Sequence, residues 1–203
     1  MLDILLERVR DGDLEKNSKN ILKMRKILFI SVRDPFSGRF SGDVIRANKF
    51  SKFLSKKNQI EVVSLGKSNK SYKKRKLKHK IFKEENIFFK FTNILSLLLK
   101  LNPPHFGFFY SFKMKKYIKE NCNKFDTIFC QSIRSFQYLP TNVESKIILD
   151  MGDLYSKNYY QTYLDLSYLN PLKIIYLIES YLIKKYEKFC LSKADKVLLF
   201  SKK

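Results

Sequence analysis

A chain of 203 residues with 44% hydrophobic and 15% aromatic side chains can bury a core of ordinary domain size, which excludes a disordered chain. Its 41 Lys and Arg against 19 Asp and Glu leave a formal charge of +22; this points to nucleic acid, phosphorylated ligands or an anionic membrane, or to lysines that only solvate the surface. Cys122, Cys130 and Cys190 have no metal or redox spacing and suggest a reduced protein. No apolar run reaches the ~20 residues of a membrane span, because the run at 94–101 is short and that at 172–183 is broken by Glu179 and Ser180.

In residues 1–23 five basic and five acidic side chains cancel, so the whole excess of charge belongs to the remainder. Asp3 and Glu7 argue against a secretory signal. Met24-Arg-Lys-Ile-Leu is a natural start, so this segment is expected to be appended or to reflect a mis-assigned start, and a chain beginning at Met24 is expected to fold. The continuous apolar run 26–32 predicts a strand buried on both faces, followed by a loop with Gly38 and Gly42 and a helix opened by Asp43. Two glycines before a helix start allow close backbone approach to an anion. They also suit a plain turn, with Asp43 as N-cap, and they lack the G-x-G-x-x-G spacing of dinucleotide sites.

Residues 59–65, ended by Gly66, predict a second strand. The stretch 67–80 carries eight basic residues and no acid, the pattern of a solvated, mobile loop or of a segment drawn to anionic lipid. No nucleic-acid reading motif accompanies it. Residues 81–82 and 86–91 predict a strand or strand pair, and 92–101 a helix ended by Pro103 and Pro104. The aromatic run 105–112 suits core, or an exposed patch for a lipid-linked acceptor. A basic helix at 114–122 precedes a strand at 125–130, whose carboxyl end delivers Gln131, Ser132 and Arg134 to the edge where α/β sheets bind ligands. A strand at 146–150 delivers Asp150, Asp153 and Ser156 to the same edge, where they would serve sugar binding, proton transfer or loop structure. From Pro171 a helix is expected with a core stripe of Ile175, Ile178, Leu182, Tyr186 and Phe189, and with Lys184, Lys185, Glu187 and Lys188 outward. A last strand follows at 194–201.

This alternation predicts an α/β fold, a Rossmann-like parallel sheet flanked by helices. Within it, the first strand leading to Gly42-Asp43-Val44-Ile45-Arg46, and the later Asp150-Met-Gly-Asp153-Leu-Tyr-Ser156-Lys-Asn-Tyr159, resemble family 4 glycosyltransferases, in particular the bacterial sugar transferases of polysaccharide and capsule synthesis. The resemblance covers 24–203 and implies the amino-terminal, acceptor-side half of a GT-B fold, without the donor-binding domain. It implies sugar transfer with retention from a nucleotide-sugar to a saccharide or lipid-linked acceptor, with no cofactor and no bound metal. Such a half is expected to be inactive alone, to partner a separately encoded carboxyl-terminal half, and to lie in the cytoplasm, peripheral to the inner membrane face. Gly38 and Gly42 would give phosphates access to backbone, Arg46 would buttress the loop or meet negative charge, and Asp150, Asp153 and Ser156 would contact acceptor hydroxyls. Many members carry a histidine after the strand at 125–130. Here the histidines are His79 and His105, so no histidine-assisted step is expected. Two other classes stay open: a non-catalytic nucleotide- or sugar-binding domain, and a basic membrane- or nucleic-acid-binding protein.

Overall fold

The structure, a computed structural model, describes residues 24–67, 69–74 and 76–199. The appended segment expected at 1–23 lies outside these residues, as do Ser68 and Arg75 of the basic stretch and residues 200–201 of the last expected strand. Seven strands form one sheet among the described residues: β1 Lys26–Ser31, β2 Gln59–Gly66, β3 Lys70–Lys74, β4 Leu77–Lys83, β5 Thr127–Gln131, β6 Lys146–Gly152 and β7 Lys196–Leu199, in the order β3-β4-β2-β1-β5-β6-β7. Every pairing is parallel except β3 with β4. With that antiparallel edge strand set aside, the order is the doubly wound Rossmann-like one, in which β1 stands between β2 and β5 and the direction of winding reverses.

Among the described residues six α-helices connect the strands: α1 Gly42–Ser55, α2 Ile87–Leu99, α3 Phe112–Asn121, α4 Ile133–Phe136, α5 Tyr155–Asp165 and α6 Leu172–Lys193. Along β1 the pleat sends Ile27 and Phe29 to one face, where they pack with Ala47 of α1 and with Val62 and Phe129. Leu28 and Ile30 go to the other, larger face, with Met114 and Ile118 of α3 and Ile183 and Cys190 of α6. Both faces are covered, which is why the strand reads as an unbroken apolar run. Phe29 and Phe129, register partners on β1 and β5, stack at 4.9 Å.

Three expectations need correction. The basic stretch is not a loop: it folds into the β3–β4 hairpin, because Leu77, His79 and Ile81 alternate inward between the lysines. Residues 86–91 are helical; the Asn86 side chain accepts from the Phe89 N–H and starts α2 there. On α6 the buried stripe is rotated, so that Ile175, Ile178 and Phe189 are about half exposed while Glu179 and Glu187 are buried. Hydrogen bonds, described below, hold those two carboxylates inside.

The expected aromatic core at 105–112 is divided. A 3-10 segment, Pro104–Phe109, buries Phe106 and lays Gly107 against α2. A Cβ on Gly107 would stand 2.8 Å from the Ile94 backbone nitrogen, whereas one on Gly42 meets nothing within 4 Å. Gly107→Ala should therefore cost about 1–3 kcal/mol by overpacking against backbone, and Gly42→Ala should stay within about 0.5 kcal/mol of the parent. Urea midpoints measured for both variants check the contrast.

Candidate functional site

The carboxyl ends of β1, β5 and β6 converge at the reversal point, and side chains from each meet there. Ser31, at the end of β1, donates from Oγ to Gln131 Oε1 at 2.6 Å, and Gln131 Nε2 donates to the Asp43 carbonyl at 2.8 Å. A buried amide thus joins the tips of two strands to the first turn of α1. One turn on, Arg46 donates from Nε and Nη2 to the two oxygens of Asp150, at 2.7 and 2.6 Å. The Asp150 side chain is 2% exposed and that of Arg46 29%. The bond to Asp150 raises the guanidinium pKa further, against the cost of its partial burial, with the charges of Asp150 and Asp153 adding to it. The guanidinium also lies over the Phe50 ring at 5.0 Å.

Immediately after β5 the chain is strained. Ser132 has φ of +72°, a region costly for a residue with a Cβ, and its N–H is held by the Asp150 carbonyl at 2.8 Å. Its buried hydroxyl makes no well-formed hydrogen bond, although Tyr155 lies close enough for that hydroxyl to offset part of the upward push that burial gives the phenol. Arg134 lies over Phe109 at 4.6 Å and over Tyr155 at 4.8 Å, and its buried Nε has no partner. Arg33 approaches the same Phe109 ring at 5.7 Å and pairs with Asp43 at 3.0 Å.

Beside Arg134 stands His105. Glu179 accepts from the His105 N–H at 2.9 Å and faces its Nδ1 at 2.8 Å, which orients the ring and leaves Nε2 buried without a partner. Tyr159 stacks on the ring at 5.0 Å. Burial lowers the imidazole pKa; Glu179 opposes this and the nearby Arg134 adds to it. A neutral imidazole with one nitrogen fixed by a carboxylate can exchange one hydrogen bond with a ligand.

Of the residues singled out from the sequence, Asp43, Arg46, Gln131, Ser132, Arg134 and Asp150 come together. Gly38, at φ of +73°, sits in the exposed loop before α1, and Asp153 is exposed just past β6. Asp43 is not the N-cap: Ser41 takes that position, and the Asp43 carboxylate accepts from Ser41 Oγ and the Val44 N–H. Asp150 and Ser156 do not offer their oxygens to an acceptor. Asp150 is taken by Arg46, and Ser156 is buried, donating from its N–H and Oγ to Glu187.

Sequence reasoning passed over His105, Glu179, Phe109, Tyr155 and Tyr159. A signal for one pair existed: Glu179 interrupts an apolar stretch, and a buried acid needs a donor. Among the described residues no group of three or more His, Cys, Asp or Glu could hold a metal ion. No family model matches the chain, and a search of curated proteins returns no significant match.

Removing Arg46 would strand a buried carboxylate, so Arg46→Met should cost about 3 kcal/mol. Arg46→Met combined with Asp150→Leu should recover most of that loss, because no unpaired charge then stays inside. A double-mutant cycle of urea unfolding measures the coupling, and purely additive losses would contradict it.

Proposed function

We propose that this domain is the acceptor side of a retaining GT-B glycosyltransferase, which moves a sugar from a nucleotide-sugar to a saccharide or lipid-linked acceptor. The observation that carries this reading is the Arg46–Asp150 bond. The two stretches that resemble family 4 enzymes, 104 residues apart in the chain, meet in one bidentate pair at the reversal point of a Rossmann-like sheet. Ligands of such sheets sit outside the carboxyl ends of the strands at that point.

In this reading Asp150 holds Arg46, and Arg46 fixes the start of α1 so that the open backbone at Gly42 faces incoming phosphate. Ser132, Arg134 and His105, whose Oγ, Nε and Nε2 make no well-formed hydrogen bond, supply the hydrogen bonds to acceptor hydroxyls, and exposed Asp153 adds one more acceptor of such bonds. Transfer needs a second domain that clamps the donor opposite these groups, since holding reactants in attack geometry supplies ~7–11 kcal/mol of the barrier reduction.

The chain incubated with radiolabelled nucleotide-sugars and a lipid extract is therefore expected to transfer nothing alone and to transfer sugar once a candidate carboxyl-terminal half is added. Arg134→Ala should reduce that reconstituted activity. Transfer by the chain alone would overturn the two-part reading.

The same reading places the protein in the cytoplasm, peripheral to the membrane's inner face. No helix among the described residues is long and apolar enough to cross a membrane. Instead α2 turns an apolar face outward: Phe88, Phe91, Leu95 and Leu99, each about 60% exposed or more, recur at helical spacing. Phe112 extends the patch through Phe89, at 6.3 Å. Lys100 and Lys113 flank it on a chain of charge +22, which matches an anionic bilayer better than a like-charged second copy. Flotation with anionic liposomes should be lost in Phe88→Ser/Leu95→Ser and should weaken with salt. Equal flotation with neutral liposomes would remove the electrostatic part of the idea.

A further inference from the structure

A cavity of about 1090 Å³ lies away from the strand reversal. It opens on the side of the sheet that carries α1, between that helix, the loop after β1 and the β3–β4 hairpin, and it shares Arg33 with the site above. Its walls carry Arg39 from the loop, Lys52 from α1 and Lys56 just past it, Lys67 just past β2, and Lys70 and Lys76 from the hairpin. None of these six cations forms an ion pair among the described residues. Two acids also reach the cavity, one held by a lysine outside it and one bonded within its lining, so the cations outnumber them. Glu84 pairs with Lys90 at 2.9 Å, and Asp34 accepts from the Phe36 N–H at 2.8 Å while facing His79 at 3.7 Å.

The floor is apolar and aromatic. Leu65 and Ile81 line it, and buried His79, joined to Ser64 by a hydrogen bond of 2.9 Å, carries Phe36 edge-on at 5.0 Å with Tyr72 at 6.4 Å. Burial lowers the pKa of His79 and the Asp34 charge opposes this. Like charges gathered on one cavity repel each other, and a polyanion between them relieves that repulsion. The volume is at the upper end of small-molecule sites, and six cations without an ion pair exceed the charge that a single phosphate offsets.

We infer that this groove binds a small molecule carrying two adjacent phosphates, with its uncharged portion against Phe36 and Tyr72. The inference is independent of the sugar-transfer reading, and its failure leaves that reading untouched. An extended nucleic acid and a flat membrane surface fit a recessed groove less well, and both enter the test as competitors.

The experiment is calorimetric titration of the full chain, at fixed ionic strength, with inorganic pyrophosphate and with orthophosphate. Pyrophosphate should bind more tightly, and Lys52→Gln/Lys56→Gln/Lys70→Gln, three exposed positions, should weaken it about tenfold without lowering the unliganded thermal midpoint. Two further arms identify the source of the diphosphate. A nucleoside diphosphate that binds more tightly than pyrophosphate supports a free nucleotide, and vesicles bearing a diphosphate lipid that release the protein on addition of pyrophosphate support a lipid-borne group. Orthophosphate binding as tightly as pyrophosphate, or a triple variant that binds like the parent, overturns the proposal. So does an oligonucleotide that displaces pyrophosphate with the steep salt dependence of backbone contacts.

Discussion

The Arg46–Asp150 pair is the constraint on which the ligand-facing edge depends. Parallel strands are tied to each other by their ladders, but nothing in the ladder fixes where a crossover helix begins relative to strands further along the sheet. Here a planar guanidinium with two donors meets a carboxylate with two acceptors, a geometry that tolerates little rotation. The start of α1 is thereby indexed to the tip of β6. Gln131 makes a second connection, from the tips of β1 and β5 to the turn before Arg46. Ser132 is held in its left-handed conformation by the same network, through the Asp150 carbonyl.

A comparable arrangement fixes the long helix α6. Two of its glutamates point inward, each satisfied by paired donors from another segment: Glu179 by His105, and Glu187 by Ser156 at the start of α5. Buried carboxylates are costly unless fully bonded, so each pair admits few alternative placements of its partner. One consequence is that His105 stands beside Arg134, though the two come from separate segments. A histidine thus reaches the surroundings of Arg134 from the turn before α3.

The strands at the centre of the sheet were legible because burial on both faces leaves only apolar residues, as in the run from Ile27 to Ile30 or from Ile128 to Cys130. The site was legible in part. Gly-Asp-x-x-Arg and the acid near the end of β6 mark where backbone turns at strand ends, and Asp43, Arg46 and Asp150 do converge. What spacing could not tell is how each polar atom is spent: Asp150 and Ser156 look available in sequence, and only the fold reveals Arg46 and Glu187 as their partners. The hairpin at Lys70–Lys83 was hidden because its charged residues outnumber the inward ones, so alternation was masked by lysine. The α6 register was misjudged for the opposite reason, since a helix apolar on most of its surface has no single stripe to read.

The antiparallel strand β3 has a consequence for self-association. A parallel sheet that ended at β4 would present a longer, more regular rim of free amides and carbonyls to any other chain. Instead the rim is a five-residue strand, KSYKK, rich in positive charge. Two copies approaching rim to rim would bring rows of ammonium groups together, and such charged, short borders are how β proteins keep from adding strands to one another without limit. Charge concentrated there therefore acts as a barrier between molecules of this protein as well as an attraction for anions.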